Sequence, residues 1–417
     1  MRFLSRCSVI IALAVTIILY LGWVIPSTRQ YTQFQKSWSG SVRRIVTFGD
    51  SWSDTGRYIL NGPPPGFEPI RHPASGPVWP EALCQEVRGY FNLATPHQPR
   101  LTPKQILCDS IDNYARSLPP QVTQYYTDTV GAVLDNAVFQ NATASHNFTD
   151  FALRDLQQQV RDFVKMEGAK RMWPIQPPKE WTLFTVWFGV NDIFHYSKLE
   201  RDVAKFAINK SIDHLFRQLN IIHEWMRGPI LVVLPKAVNV THLPRFNMET
   251  IDEVDTTRHR MAIEMASYWN YKLESRARNW MGGHVFLVES DKFMETQVRA
   301  KQMYGPPSVR KRALDFRDVS TACRTLVYPQ SQDEDSVQEL GVLEQVCEDP
   351  GQHLFWDDFH LSGKAHEFLG QQAGRLVKQR STYNHYVAQQ VTEAVRSSVP
   401  PWLKDRIEQF SAKNSSN

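Results

Sequence analysis

The chain has 417 residues, 42% hydrophobic and 22% charged, a globular composition that excludes a largely disordered, collagen-like or coiled-coil protein. Its 47 Lys and Arg against 43 Asp and Glu leave a net charge of +4, too balanced for an electrostatic footprint, so no nucleic-acid partner is expected. The length suits two or three domains, or one large α/β unit.

Arg2 and Arg6 precede a run from Cys7 to Ile25 that carries no charge. At about 1.5 Å per residue this run nearly matches the roughly 30 Å hydrocarbon layer of a bilayer. Residues 1–26 therefore read as a signal anchor or a cleaved signal peptide. The run exceeds a usual signal h-region and no A-x-A site follows, which favours retention as a single-pass, type II membrane anchor. The rest of the chain is then extracellular or lumenal, or secreted if the segment is removed.

Two further features fit that secretory route. N-x-S/T sequons stand at Asn141, Asn147, Asn209, Asn239 and Asn414. Cys84, Cys108, Cys323 and Cys347 lie beyond the apolar run and allow three disulfide connectivities; nearest-neighbour pairing closes two loops of equal span. No C-x-x-C pattern supports a zinc site.

Residues 27–43 are polar and read as a short stalk, 44–380 as the folded domain, and 381–417 as a C-terminal helical appendage with a polar tail. Compact apolar runs at Arg44–Phe48, Ala132–Val138, Thr182–Val190, Ile230–Leu234 and Val285–Val288 are predicted strands. Helical spacing joins Phe151, Leu153, Leu156, Val160, Phe163 and Val164, and again Phe206, Ile208, Ile212, Leu215, Phe216 and Leu219. Strands alternating with helices, without hairpin turn signals, predict a parallel sheet covered on both faces. His195, His214 and His223 fall in or near helical patterns; they are expected at the surface or as caps and are given no role.

Reactive groups of an open parallel sheet collect at the carboxyl ends of its strands. Gly49-Asp50-Ser51-Trp52-Ser53-Asp54 follows the first strand and offers a hydroxyl at a strand-to-helix turn. Phe188-Gly189-Val190-Asn191-Asp192 follows the third and offers an amide donor. Phe355-Trp356-Asp357-Asp358-Phe359-His360 comes late in the chain. A serine is a weak nucleophile without a base, and the base needs a third group to fix its tautomer. His360 suits the base, and Asp357, three residues earlier, suits the third group. An oxyanion would be met by the Ser51 N–H and the Asn191 amide. The α/β-hydrolase elbow Gly-x-Ser-x-Gly is excluded, because Ser53 stands where its second glycine belongs.

These three segments resemble the blocks of the SGNH or GDSL family of serine esterases and lipases. Phe48–Gly56 resembles the nucleophile block, Gly189–Asp192 the third block and Asp357–His360 the last. Val78-Trp79-Pro80, Tyr304-Gly305 and His366 add secondary echoes of the fungal branch related to carbohydrate esterases. The resemblance implies a three-layer α/β/α, flavodoxin-like fold with a central parallel sheet, and no metal or organic cofactor. It implies Ser51, Asp357 and His360 as the catalytic residues, and a carboxylic ester as substrate, in particular short acyl groups such as O-acetyl on carbohydrate. The second family block supplies a glycine whose N–H completes the oxyanion hole. The best-aligned segment, Asn136–Thr143, has none, so the donor is expected from the backbone of Gln140 or Asn141. A glycan beside that hole would block access, which leaves Asn147, Asn209, Asn239 and Asn414 as glycosylation candidates.

The missing glycine also motivates an alternative, a catalytically impaired glycan-binding protein on the same scaffold; a lipase-like acylhydrolase is another. A metallophosphoesterase is disfavoured by the absence of its Gly-Asn-His-Asp/Glu and Gly-His-x-His motifs. The nearly 70 residues between the fifth predicted strand and Asp357 are expected to wall the cleft. Trp52, Trp356 and Phe359 adjoin the proposed catalytic residues and suit either a sugar ring or an acyl chain.

Overall fold

Five strands build the main sheet: β1 (Val42–Gly49), β2 (Ser110–Asn113), β3 (Trp181–Trp187), β4 (Ile230–Pro235) and β5 (Gly283–Val288). All neighbours run parallel, in the order β2-β1-β3-β4-β5. That is the doubly wound order in which the strand sequence reverses beside β1. The computed structural model describes residues 42–55, 75–91, 110–115, 131–145, 153–171, 181–250, 256–302, 316–327 and 343–384. The apolar run Cys7–Ile25, the stalk up to residue 41, Cys108, Tyr304-Gly305, Asn147, Asn414 and the tail beyond Asn384 lie outside them. Among the described residues no helix is long and apolar enough to cross a membrane.

Burial explains the strands. β4 and β5 are buried along their whole length, the continuous apolar pattern of strands covered on two faces. In β1, Ile45, Val46 and Phe48 are wholly buried, and Phe48 packs against Tyr114, Phe163 and Phe184 with ring centroids 5.5–6.4 Å apart. On one face lie α3 (Leu156–Arg171), α5 (Arg201–Met226) and α7 (Thr257–Asn279), the last preceded in the chain by the short α6 (Pro244–Glu249). On the other, α1 (Trp79–Phe91) packs along α9 (Gly363–Lys378). The product is the expected three-layer α/β/α arrangement.

Two expectations about local structure change. The run Ala132–Val138 is not a strand. Residues 131–135 are irregular, and α2 (Asn136–Ala142) begins there because the Asp135 carboxylate accepts the Val138 N–H at 3.1 Å and caps the helix. The strand in its place is β2, Ser110-Ile111-Asp112-Asn113, a short edge strand whose Asp112 pairs with Arg44. An edge strand needs no apolar run, so periodicity misses it. The helix predicted from Phe151 instead begins at Leu156, where Asp155 accepts the Gln158 N–H at 2.9 Å. In α5, Ala204, Ile208, Ile212, Leu215, Leu219 and Ile222 face inward, but Phe206 is 57% exposed.

His195 and His214 are buried rather than superficial. His214 Nε2 accepts from Gln218 at 2.7 Å, which leaves its Nδ1–H to donate to Asp135. His223 acts as a cap, donating to the Gly228 carbonyl at 2.9 Å. Burial, assisted by Lys198, Arg258 and Arg245, pushes His195 down to about 3, so this ring is neutral.

The segment after β5 forms α8 (Ser290–Gln302), then β6 (Asp318–Ala322), β7 (Arg324–Val327), β8 (Leu343–Val346) and β9 (His353–Phe355). β6 pairs with β9, and β7 with β8. A Cys323–Cys347 disulfide ties this region together. Cys84 is also disulfide-bonded. Val42–Asn384 forms one compact unit. It starts within the segment read as stalk and extends past residue 380: Asn384 accepts the Val285 N–H at 3.1 Å and donates to the Trp280 and Gly283 carbonyls at 2.9 and 2.7 Å.

Candidate active site

Ser51 lies just past β1, where the chain turns sharply. Asp50 N–H donates to the Trp187 carbonyl at 3.3 Å, tying the turn to the end of β3, and Ser53 N–H donates to the Asp50 carbonyl at 3.1 Å. A Cβ at Gly49 would stand 2.7 Å from the Trp187 oxygen, so only glycine permits this approach. The buried Gln159 side chain brackets the same residue: it accepts from Gly49 N–H and donates to Gly49 O, both at 2.9 Å. That pairing fixes the strand end from which the hydroxyl projects.

His360 and Asp357 share a loop after β9. Trp356 N–H donates to the His360 carbonyl at 2.8 Å, and Ser362 N–H to the Leu354 carbonyl at 2.9 Å, which closes the loop at its base. From outside, Cys323 and Arg324 N–H groups donate to the Phe355 and Trp356 carbonyls at 3.2 and 2.6 Å. Arg245 forks onto Asp358 with two bonds of 2.9 Å, the planar bidentate geometry that suits arginine.

The structure brings Ser51, His360 and Asp357 together across 309 residues of sequence. His360 Nε2 lies 2.8 Å from Ser51 Oγ, and its Nδ1 lies 2.9 Å from both Asp357 oxygens. Asp357 Oδ1 also accepts the Phe359 and His360 N–H groups at 2.9 and 2.7 Å. Burial opposes the Asp357 charge, but the His360 charge and these hydrogen bonds outweigh it and hold the carboxyl far below its usual range. Burial likewise lowers the His360 pKa, and the Asp357 carboxylate more than restores it, so the net direction is upward.

Asn191 and Asp192 follow Gly189, which caps the first turn of α4 (Val190–Tyr196) at φ 117°. A Cβ at Gly189 would fall 2.8 Å from the Trp269 ring. Asn191 donates to the Ala132 carbonyl at 3.2 Å. Burial pushes Asp50 up to about 7, although Trp52 N–H, the His360 charge and the Asn191 amide act the other way. Asp192, also buried, is pushed up to about 8.

Gln140 and Asn141 are not brought to this site. Both are exposed on α2, beyond its first turn, where backbone N–H groups bond within the helix. The glycine beside Asn191 is Gly131: a Cβ there would stand 2.5 Å from Asn191 Oδ1 and 2.8 Å from its Nδ2. The signal was present, since Gly131 is the single glycine between Gly89 and Gly168 and opens the apolar run misread as a strand. Of the other sequons, Asn209 is half-buried within α5 and donates to the Tyr268 hydroxyl at 2.9 Å. Asn239 caps a short turn by accepting the Thr241 N–H at 3.1 Å.

The chain is 22% identical over 337 residues to a thermolabile hemolysin of Vibrio parahaemolyticus serotype O3:K6 (strain RIMD 2210633), which covers 79% of this chain. It spans 62% of that protein's length. A crystal structure of LAE5, an α/β hydrolase enzyme from the metagenome of Lake Arreo in Spain, aligns with 82% of this chain and 96% of its own at 15% identity and a TM-score of 0.35. The family described as GDSL-like lipase/acylhydrolase matches residues 45–373, most of the 417, and the chain belongs to that family.

Proposed function

We propose that this protein is a serine esterase of the secretory pathway that hydrolyses carboxylic esters through an acyl-enzyme. The observation that carries the reading is the unbroken hydrogen-bonded line from Ser51 Oγ through His360 to Asp357, at 2.8 and 2.9 Å. With Nδ1–H donated to Asp357, Nε2 is left as acceptor for the Ser51 proton. Ser51 Oγ attacks the ester carbonyl carbon as His360 takes that proton. The developing oxyanion is met by the Ser51 N–H, the Gly131 N–H and the Asn191 amide, whose NH2 group turns to it from its partners, the Ala132 carbonyl and the Asp50 carboxyl. Among the described residues, neither backbone N–H is paired with an acceptor. Each such donor is worth about 100–1,000-fold in kcat. The intermediate expels its alcohol, protonated by His360, and leaves the acyl group on Ser51. Water, deprotonated by His360, then attacks the acyl-enzyme and releases the acid and the serine.

Gly131 removes the motive for reading the protein as a lapsed, glycan-binding member, because the residue whose absence suggested that stands beside Asn191. The membrane or secretory location rests on the apolar N-terminus and the disulfides. Short-acyl esters of carbohydrate are the favoured substrate on the resemblance to carbohydrate esterases. The family description, lipase/acylhydrolase, supports a second reading, a lipase-like acylhydrolase acting on longer acyl chains.

Labelling by a fluorophosphonate probe, compared with Ser51→Ala, tests the nucleophile without knowledge of the substrate. Label on the wild type alone is expected; equal labelling of the variant overturns the assignment. A p-nitrophenyl ester series from acetate to palmitate then separates the two substrate readings by where kcat/KM peaks.

A further inference from the structure

The first turn of α4 grips one irregular stretch of chain with two adjacent side chains. Asn191 donates to the Ala132 carbonyl at 3.2 Å. Asp192 accepts the Leu134 N–H on its two oxygens, at 3.2 and 3.4 Å. The Leu134 carbonyl in turn accepts the Leu156 N–H at 3.3 Å. One residue on, Asp135 caps α2 and pairs with His214, which Gln218 holds from behind. Asp192, Asp135, His214 and Gln218 are all buried. None of them belongs to the proton path from Ser51 to Asp357.

A buried carboxyl is costly unless its hydrogen bonds are met, and Asp192 directs both oxygens at one backbone N–H. The stretch Gly131–Asp135 has no helix or strand ladder of its own, so these side-chain bonds set its path. We infer that Asp192 is a positioning residue for ester hydrolysis: by holding Leu134 it fixes Gly131–Asp135 so that the Gly131 N–H faces the oxyanion. Asn191 and Asp192 thus place two donors at once, one directly and one through the backbone opposite. The inference rests on the catalytic reading above, and its test has an arm that does not.

The test compares Asp192→Leu, which keeps the branched heavy-atom shape and removes the acceptor, with Asp192→Asn, which keeps an acceptor oxygen and is neutral. The full chain is assayed with p-nitrophenyl acetate, and hydrogen–deuterium exchange is followed in peptides covering 131–135. Asp192→Leu is expected to lower kcat about 30–100-fold with KM within about 3-fold, since one oxyanion donor is misplaced while ground-state contacts remain. Exchange in 131–135 should quicken about 10-fold or more, and Asp192→Asn should return both readouts to within about 3-fold of wild type. Wild-type kcat or unchanged exchange in Asp192→Leu overturns the inference, as does an Asn variant no better than the Leu variant. Should Asp192→Leu fail to fold, Asp192→Asn decides: lost protection of 131–135 or a drop in kcat beyond about 10-fold refutes it. An inactive wild type would defeat the catalytic reading instead, while the exchange comparison still reports whether Asp192 holds the segment.

Discussion

Asp357→Asn is the sharpest perturbation of the proposed mechanism, because it changes one atom and reverses a tautomer. In the wild type, Asp357 Oδ1 accepts two backbone N–H groups, and both oxygens accept from His360 Nδ1. Asparagine keeps one oxygen for the backbone donors. Its NH2 then faces Nδ1, a donor opposite a donor, unless the imidazole proton moves to Nε2. That tautomer presents N–H to Ser51 Oγ at 2.8 Å and removes the base. The expected loss is about 10,000-fold in kcat, or roughly 5.5 kcal/mol of barrier, with KM little changed. The pH profile carries a second signature. His360 must be neutral to accept a proton, so the rate falls as pH drops through its pKa. The Asp357 carboxylate raises that pKa, which puts the wild-type acid limb above the ordinary imidazole value of about 6.5. Without the carboxylate, burial and the Arg245 charge both favour the neutral ring, and the limb of the residual activity moves lower. Steady-state hydrolysis of p-nitrophenyl acetate between pH 5 and 9 reads both effects. A loss below about 10-fold, or an acid limb that stays in place, refutes the assigned roles.

Arg245→Met removes a cation that lowers the His360 pKa, so the acid limb should move to higher pH; rates at pH 6 then fall more than rates at pH 8, and a downward move contradicts the charge argument. Gly131→Ala places a methyl group 2.5 Å from Asn191 Oδ1, and kcat should drop about 100–1,000-fold with a smaller change in KM; unaltered steady-state kinetics would remove Gly131 from the site. Replacing Cys323 and Cys347 by serine frees a loop of sequence separation 24, worth about 3 kcal/mol in the chain-entropy model. Spread over the folded unit this lowers Tm by about 4 °C in a thermal melt. Because Cys323 N–H and Arg324 N–H support the carbonyls just before Asp357, kcat should fall with it, and a melt shift without any rate change would show the two to be separable.

The residues of the proposed catalytic line were legible in the sequence because they stand in short polar segments behind or near apolar runs. Ser51 follows β1 and Asn191 follows β3, both predicted strands, whereas Asp357 and His360 follow the three-residue β9, which no predicted strand marks, and are read from their own spacing. The residues that hold them in place were not legible. Gln159 meets Gly49 across 110 positions, and Arg245 meets Asp358 across 113. Neither contact leaves a periodic or local trace, since a buried amide in a helix and a lone arginine have many possible partners. The histidines failed for a related reason: polarity placed His214 at the surface, but Asp135 and Gln218 satisfy both ring nitrogens and permit its burial.

The error at Gly131 follows from the same limit, and topology shows why. β1 is flanked by β2 and β3, and the reversal of strand order beside it opens the crevice at its carboxyl end. Ser51 leaves β1 into that crevice, and Asn191 enters α4 just after β3. The third contribution has to come by way of β2, which registers beside β1 as Ser110–Asn113 and leads into the Tyr114-Ala115 pair buried under Phe48. Aligning Asn136–Thr143 with the second family block looks past Gly131, which lies just before the run Ala132–Val138 taken for a strand. Once the short polar edge strand is recognised, residues 131–135 become an irregular stretch that follows β2 in the chain, and Gly131 at its start falls against Asn191. In the proposed mechanism the donors thus come from segments beside neighbouring strands, and the closeness of Gly131 to the Asn191 amide is what the Gly131→Ala variant probes.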